Sequence, residues 1–167
     1  MFLRLLFGGV LTVIFNFSCV SKKNVDKCQY IRFLSSYNGG ARTVGVYIGY
    51  DSIGLNNYLK NVNLEISDRI ILLDSVSFTE LSTILRGQPR SSWTEEILET
   101  TTNDYMIIDF LSENKESIDR EILIDKPDVR KYFQGATKSI DQIKEQNGRE
   151  EVRKLFNVYL GYANRLN

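Results

Sequence analysis

The chain contains no histidine. That absence removes Ser-His-Asp and Cys-His nucleophilic catalysis, His-ligated zinc or iron, and imidazole-based pH switching. Its two cysteines, Cys19 and Cys28, form no C-x-x-C pair, so a thiolate metal site is unsupported as well. What is left is the chemistry of carboxylates, lysine, tyrosine and serine. Asp104 and Asp109 flank or enter the run Tyr105 to Leu111, and Asp119 and Glu121 follow in the next extended stretch. A hairpin can bring such acids opposite one another, and paired carboxylates are the machinery of glycoside hydrolysis. With 21 acids in the chain, such pairs arise readily without function, and Asp109 reads as a solvent-facing or edge position. Glu95, Glu96 and Glu99 fall in the first turns of an expected helix, where carboxylates favour the positive end of the helix dipole. Cys28 reads as a small, half-buried residue at the start of a strand.

The Gly-rich phosphate loops, the nucleophile elbow, the zincin helix motif and the EF-hand loop are all absent from the sequence, so no cofactor, no metal and no catalytic residue are expected. The aromatics are more suggestive. Nine Tyr, nine Phe and one Trp exceed what a plain core requires, and Tyr37, Tyr47, Tyr50 and Tyr58 lie in or beside the first expected hairpin. Exposed tyrosines are common anchors of protein interfaces, which makes these four the candidate partner-binding residues. Thr43, Gly45, Tyr47 and Gly49 alternate along one arm of that hairpin. Glycines at that period mark a twisted strand or the floor of a groove.

These residues must be held by elements that the hydrophobic pattern predicts. Cys28 to Tyr50 reads as a hairpin turning at Asn38-Gly39-Gly40. Asp51 or Ser52 caps a short helix to about Lys60. Val62 to Ile66 and Ile70 to Leu73 read as strands. Ser77-Phe78-Thr79-Glu80 and Ser92-Trp93-Thr94-Glu95 are capping-box patterns that open two helices. Tyr105 to Leu111 is the most strand-like run, and Ile118 to Ile124 returns against it. Val129, Tyr132, Phe133, Ala136, Ile140 and Ile143 form one helical stripe, broken by Asn147-Gly148, and Val152 to Leu166 carries a second. The expected fold is α+β, an antiparallel sheet of β-hairpins covered on one face by the C-terminal helix pair.

The totals fit a folded single domain. Charge is balanced at 21 basic and 21 acidic residues, 43% of residues are hydrophobic, and prolines number only two. A neutral chain with no long run of one sign gives nucleic acid no electrostatic grip. The first residues differ from the rest. Arg4 precedes an uncharged apolar run, Leu5 to Phe17, of a length that suits a signal peptide better than a membrane span. The run ends in Asn16-Phe17-Ser18-Cys19, and a small residue directly before a cysteine at that place resembles the lipobox of bacterial lipoproteins.

That resemblance covers the leader alone and departs from the usual pattern at Asn16, where an aliphatic residue is more common. It implies cleavage between Ser18 and Cys19, with acylation of Cys19 by fatty chains such as palmitate. An uncleaved anchor and ordinary signal-peptidase cleavage nearby are the other readings the leader allows. The expected organisation is a signal peptide over residues 1–18, a lipidated tether over 19–27 and one α+β domain over 28–167. The expected localisation is the cell envelope, periplasmic or surface-exposed, with membrane lipid as one partner through Cys19 and a protein as the other. The expected function is non-catalytic binding of that protein. An immunity-type lipoprotein that neutralises a delivered toxin and a carboxylate-dependent envelope hydrolase are the alternatives.

Overall fold

The computed structural model of the chain describes residues 28–37, 42–60, 69–100, 104–114, 116–124 and 126–165. The leader and tether, the Asn38-Gly39-Gly40 turn and the expected strand from Val62 to Ile66 lie outside the described residues.

The first hairpin pairs β1 (Tyr30–Tyr37) with β2 (Arg42–Gly49), in a register that sets Phe33 opposite Val46 and Ile31 opposite Ile48. The second pairs β4 (Tyr105–Leu111) with β5 (Ser117–Ile124) and carries an irregularity between Phe110 and Leu111. β1 also pairs antiparallel with β4, so the two hairpins fuse through their first strands into one sheet. Both meet the expectation from alternation, because β-branched and aromatic residues at a two-residue period fit a pleated surface.

The short strand β3 (Arg69–Leu72) joins the far side of β2 in parallel, giving the order β3-β2-β1-β4-β5. The fold class is therefore α+β, with a sheet that is mostly antiparallel but mixed. The parallel pair needs a crossover longer than a tight turn: α1 (Ser52–Leu59) lies in the connection, and β3 enters opposite Val46 to run along the second half of β2.

Three helices cover one face of the sheet. α2 (Ser75–Arg86), α4 (Lys126–Lys138) and α5 (Gln146–Arg165) bury their apolar stripes against Ile31, Phe33, Val46, Ile48, Ile108 and Phe110. The centre of this core is aromatic. Tyr159 stacks on Phe33 and Phe133 at centroid separations of 5.6 and 4.9 Å, and Phe133 meets Phe156 at 5.4 Å. Each such pair contributes about 0.5–1.5 kcal/mol beyond its burial.

The opposite face is not bare. Tyr30, Tyr47 and Leu111 turn to that side and are covered by Leu55 and Leu59 of α1. The C-terminal pair is thus part of the cover on one face, joined by α2, and the other face has a small apolar cluster of its own.

Several boundaries differ from the sequence pattern for local reasons. α2 starts at Ser75 because Asp74 caps it, its Oδ1 accepting from the amides of Val76 at 2.9 Å and Ser77 at 3.0 Å. The capping-box serine, Ser77, is instead buried in the first turn, and Glu80 accepts from the Lys144 amide at 2.9 Å. α3 (Glu95–Thr100) also starts later than its pattern: Glu95, the expected third helical residue, is the first, the Ile97 amide donates to the Thr94 carbonyl, and the Glu95 carboxylate is taken by Arg120. The stripe through Ile143 is not one helix, since α4 ends at Lys138 and a 3-10 turn over Ile140–Gln142 follows. Asn147 and Gly148 lie inside α5, with Glu145 accepting from both of their amides. A Cβ at Gly148 would stand 2.9 Å from Ser77 Oγ, so this glycine serves close helix packing and does not break the helix.

Candidate functional site

Strand alternation sorts the chain's acids before any side chain is considered. Asp109 and Asp119 sit on neighbouring strands, but Asp109 pairs with Arg120 and Asp119 pairs with Phe110. Asp109 therefore projects from the face covered by α1, while Asp119 and Glu121 project from the face covered by α2, α4 and α5. The carboxylates that the sequence offered as a hydrolytic pair are separated by the sheet itself. Asp104 lies just before β4.

On the α1 side, the register sets Arg32, Asp109 and Arg120 in one row across β1, β4 and β5. Asp109 is 0% exposed, and being on an interior strand it is neither an edge nor a solvent-facing residue. Both of its oxygens are taken: Arg32 donates to Oδ2 through Nε at 3.0 Å and Nη2 at 2.5 Å, and Arg120 Nε donates to Oδ1 at 2.5 Å. Ser117 Oγ adds a longer contact at 3.4 Å.

Arg120 then reaches Glu95, the first residue of α3. The row ends as two guanidiniums and two carboxylates, with Arg32 and Arg120 partly open to solvent. Burial by itself would lower the Arg120 pKa, but the hydrogen bonds and charges of Asp109 and Glu95 outweigh it and raise the group above its ordinary value. A carboxylate clamped in this way is a poor general base and has no lone pair directed at a substrate.

The second constellation lies at the outer edge of the sheet. Arg90 donates to Asp119 at 2.6 Å and to the buried Glu121 at 3.3 Å, and the Ser91 amide donates to Glu121 at 2.6 Å. Arg86 approaches Asp119 at 3.6 Å, and its guanidinium carbon lies 4.8 Å from the centre of the Phe110 ring. These contacts staple the chain after α2 to β5 as it passes around the sheet edge. Among the described residues no group of three or more acids and cysteines is arranged to hold a metal ion.

The tyrosines are placed differently from a row of exposed anchors. Tyr47 is 4% exposed, inside the small cluster under α1. Its ring lies across Gly45, where a Cβ would stand 2.7 Å from Tyr47 Cε2, so a core ring fills the space that the glycine leaves and no groove floor forms there. Tyr50 is half-buried, its hydroxyl donating to Gln29 and its ring 5.2 Å from that of Phe78. Tyr37 closes β1 opposite Arg42, and Tyr58 falls in α1; their side chains lie outside the described residues, as do Ser18 and Cys19. Cys28 is half-buried beside α2. Burial raises its thiol pKa above the ordinary 9.0, against the opposing charge of Arg86 and a hydrogen bond with Ser82.

Large apolar residues do reach solvent elsewhere. Ile70 and Leu72, two apart on the edge strand β3, are 45% and 52% exposed, and Ile53 on α1 is 72% exposed. The sequence pattern marks Ile70 to Leu73 as a strand but does not single out Ile70 and Leu72 as its exposed side chains. It also passed over Arg32, Arg90 and Arg120. The signal for the charged row was present in the two-residue alternation, which puts Arg32 between Ile31 and Phe33, and Asp109 between Ile108 and Phe110. No helix among the described residues is long and apolar enough to cross a membrane. Compared with known families, curated proteins and solved structures, the chain matches none.

Proposed function

We propose that this chain is a lipid-anchored protein of the bacterial cell envelope, held to a membrane through acylated Cys19. Its domain works there as a non-catalytic binding module for a protein partner. The anchor half of this reading comes from the leader: Arg4, the apolar run to Phe17, and Ser18 before Cys19. At least two acyl chains make such attachment durable, since each buried methylene contributes about 0.8 kcal/mol.

The observation that carries the binding half is the pair Ile70 and Leu72 on β3. Two large apolar side chains at 45% and 52% exposure, side by side on a sheet edge, are what a partner surface covers. What weighs against hydrolysis is that Asp109 has both oxygens engaged by Arg32 and Arg120. The tyrosines serve this reading less well than β3, because Tyr47 is part of a core.

The test is site-specific photo-crosslinking in intact envelopes. A crosslinker in place of Leu72 is expected to give a discrete adduct that one in place of Val158, exposed alone on α5, does not give. Adducts of equal yield at both sites would refute the β3 surface. In the same cells Cys19→Ser is expected to lose membrane retention after leader cleavage, and retention of that variant would remove the anchor.

A further inference from the structure

The two edges of the sheet differ. At β5 the connection after α2 lies along the edge, where Arg90 Nη1 donates to the Arg120 carbonyl at 3.4 Å and Ser91 Oγ to the Ile122 carbonyl. Nothing covers β3 in this way: among the described residues no side chain or loop bonds to the backbone of Ile70 or Leu72. Unpaired amides and carbonyls on an edge template another strand, and edges are commonly guarded against this by charge, proline or a bulge. The one charged residue of β3, Arg69, does not guard it, because it turns to α5 and meets Glu151 at 2.9 Å.

Register fixes which groups are open. The Leu73 amide donates to the Gly49 carbonyl at 3.0 Å. Alternate residues of a parallel ladder face the neighbouring strand, so Ile71 also faces β2, and the amides and carbonyls of Ile70 and Leu72 point outward. The side chains of the same two residues lie on the α1 face, since Ile70 pairs with Tyr47 and Leu72 with Gly49, while Ile71 belongs to the larger core. Open backbone groups and half-exposed apolar side chains therefore coincide on the same two residues.

We infer that this edge pairs antiparallel with β3 of a second copy of the chain, about a twofold axis at Ile71. The pattern is its own complement. The axis sets Ile70 opposite Leu72 of the other copy and Leu72 opposite its Ile70, so that each pair exchanges both of its hydrogen bonds. The apolar side chains then meet across the strands on the α1 face, and a twofold contact requires a patch that is self-complementary in this way. The inference names the partner of the β3 surface proposed above and rests on that reading. So short a pairing is well below the standard interface of about 1,600 Å², and it is expected where a common membrane raises the effective concentration of the chain.

The experiment is disulfide trapping. Ile70→Cys and Leu72→Cys, each in a Cys28→Ser background, are expressed as the full acylated chain separately and together, and isolated envelopes are oxidised. Opposed residues stand about 5.5 Å apart at Cα, within reach of a disulfide, whereas like residues are two positions out of line and beyond its limit of about 7 Å. A disulfide-linked dimer is therefore expected from the mixture and from neither variant alone. Ile53→Cys, more exposed at 72% but off the edge, should give none. Both replaced edge side chains reach solvent, so the circular dichroism of the variants is expected to match that of the Cys28→Ser parent.

No dimer from the mixture, or equal yields from the mixture and the single variants, would overturn the inference. If the photo-crosslinker at Leu72 then gives an adduct with a different protein, the second copy is refuted and the β3 surface stands with a foreign partner. A mixed disulfide, with the Leu72 adduct at twice the mass of the chain, establishes the pairing and removes the foreign partner.

Discussion

The two faces of the sheet use opposite solutions to the same problem. On one face, α2, α4 and α5 bury a continuous apolar layer around Phe33, Phe133, Phe156 and Tyr159. On the other, a small cluster of Tyr30, Tyr47, Leu55, Leu59 and Leu111 lies beside a charged row of Arg32, Asp109, Arg120 and Glu95. The first face gains from area removed from water, at about 25 cal/mol per Å². The second gains little from burying charge, since desolvation offsets most of the attraction. What the row supplies is register: a slip of one residue in β1, β4 or β5 would turn an arginine or Asp109 into the aromatic core.

The largest effect that separates the faces is expected from Phe133→Ala. Loss of a fully buried ring among four aromatic neighbours should cost about 3–5 kcal/mol in urea denaturation, and a loss below 1 kcal/mol would mean the aromatic layer is not the main core. Next is Asp109→Asn, which leaves Arg32 and Arg120 facing across the sheet without the charge between them. A destabilisation of about 3 kcal/mol is expected, and most of it should return when Asp109→Leu is combined with Arg32→Met and Arg120→Met. If the triple variant is as weak as the single one, the row does more than balance its own charges.

Tyr132→Phe removes a hydrogen bond of 2.8 Å to the Leu85 carbonyl and should cost about 1 kcal/mol near neutral pH. It also tests a titration. Burial first, and then the charge of Glu121, raise the Tyr132 pKa above the ordinary 10.0. Its contribution to stability is complete below that ordinary value and is lost as pH rises toward the folded one. Tyr132→Phe should therefore flatten the fall in melting temperature above about pH 10, and an unchanged alkaline limb would contradict the assignment.

The smallest effect is expected from Asp74→Asn, which keeps the α2 cap and removes its charge. Hydrogen bonds from Ser77 and Val76 hold the Asp74 pKa below the ordinary 3.8, so its contribution is present above that value and lost as pH falls through the folded one. The variant should differ by less than about 0.5 kcal/mol at neutral pH and show a shallower acid limb.

Legibility in the sequence followed the range of the interaction. The hairpin strands Tyr105–Leu111 and Tyr30–Tyr37 were readable because their alternation is local. So was α1, from Asp51 and the pattern after it. The start of α2 was misread because two caps compete within four residues, and Asp74 comes first. The break between the last two helices was misplaced because Gly148 reads as a turn residue, whereas its lack of a side chain answers to Ser77, far away in the chain. The candidate partner tyrosines failed at Tyr47 for a similar reason: only the packing of α1 over β2 makes that ring part of a core.

By itself, then, the sequence determined the absence of imidazole chemistry, the α+β class, and the period that gives each strand its two faces. Tertiary structure decided the rest: that β3 runs parallel to β2, and that Asp109 is enclosed by two arginines and divided from Asp119 and Glu121 by the sheet. The reason is physical. Composition and periodicity are properties of neighbours along the chain, but the partners that fix a charge or bury a ring are chosen by pairing across strands and by which face a helix happens to cover.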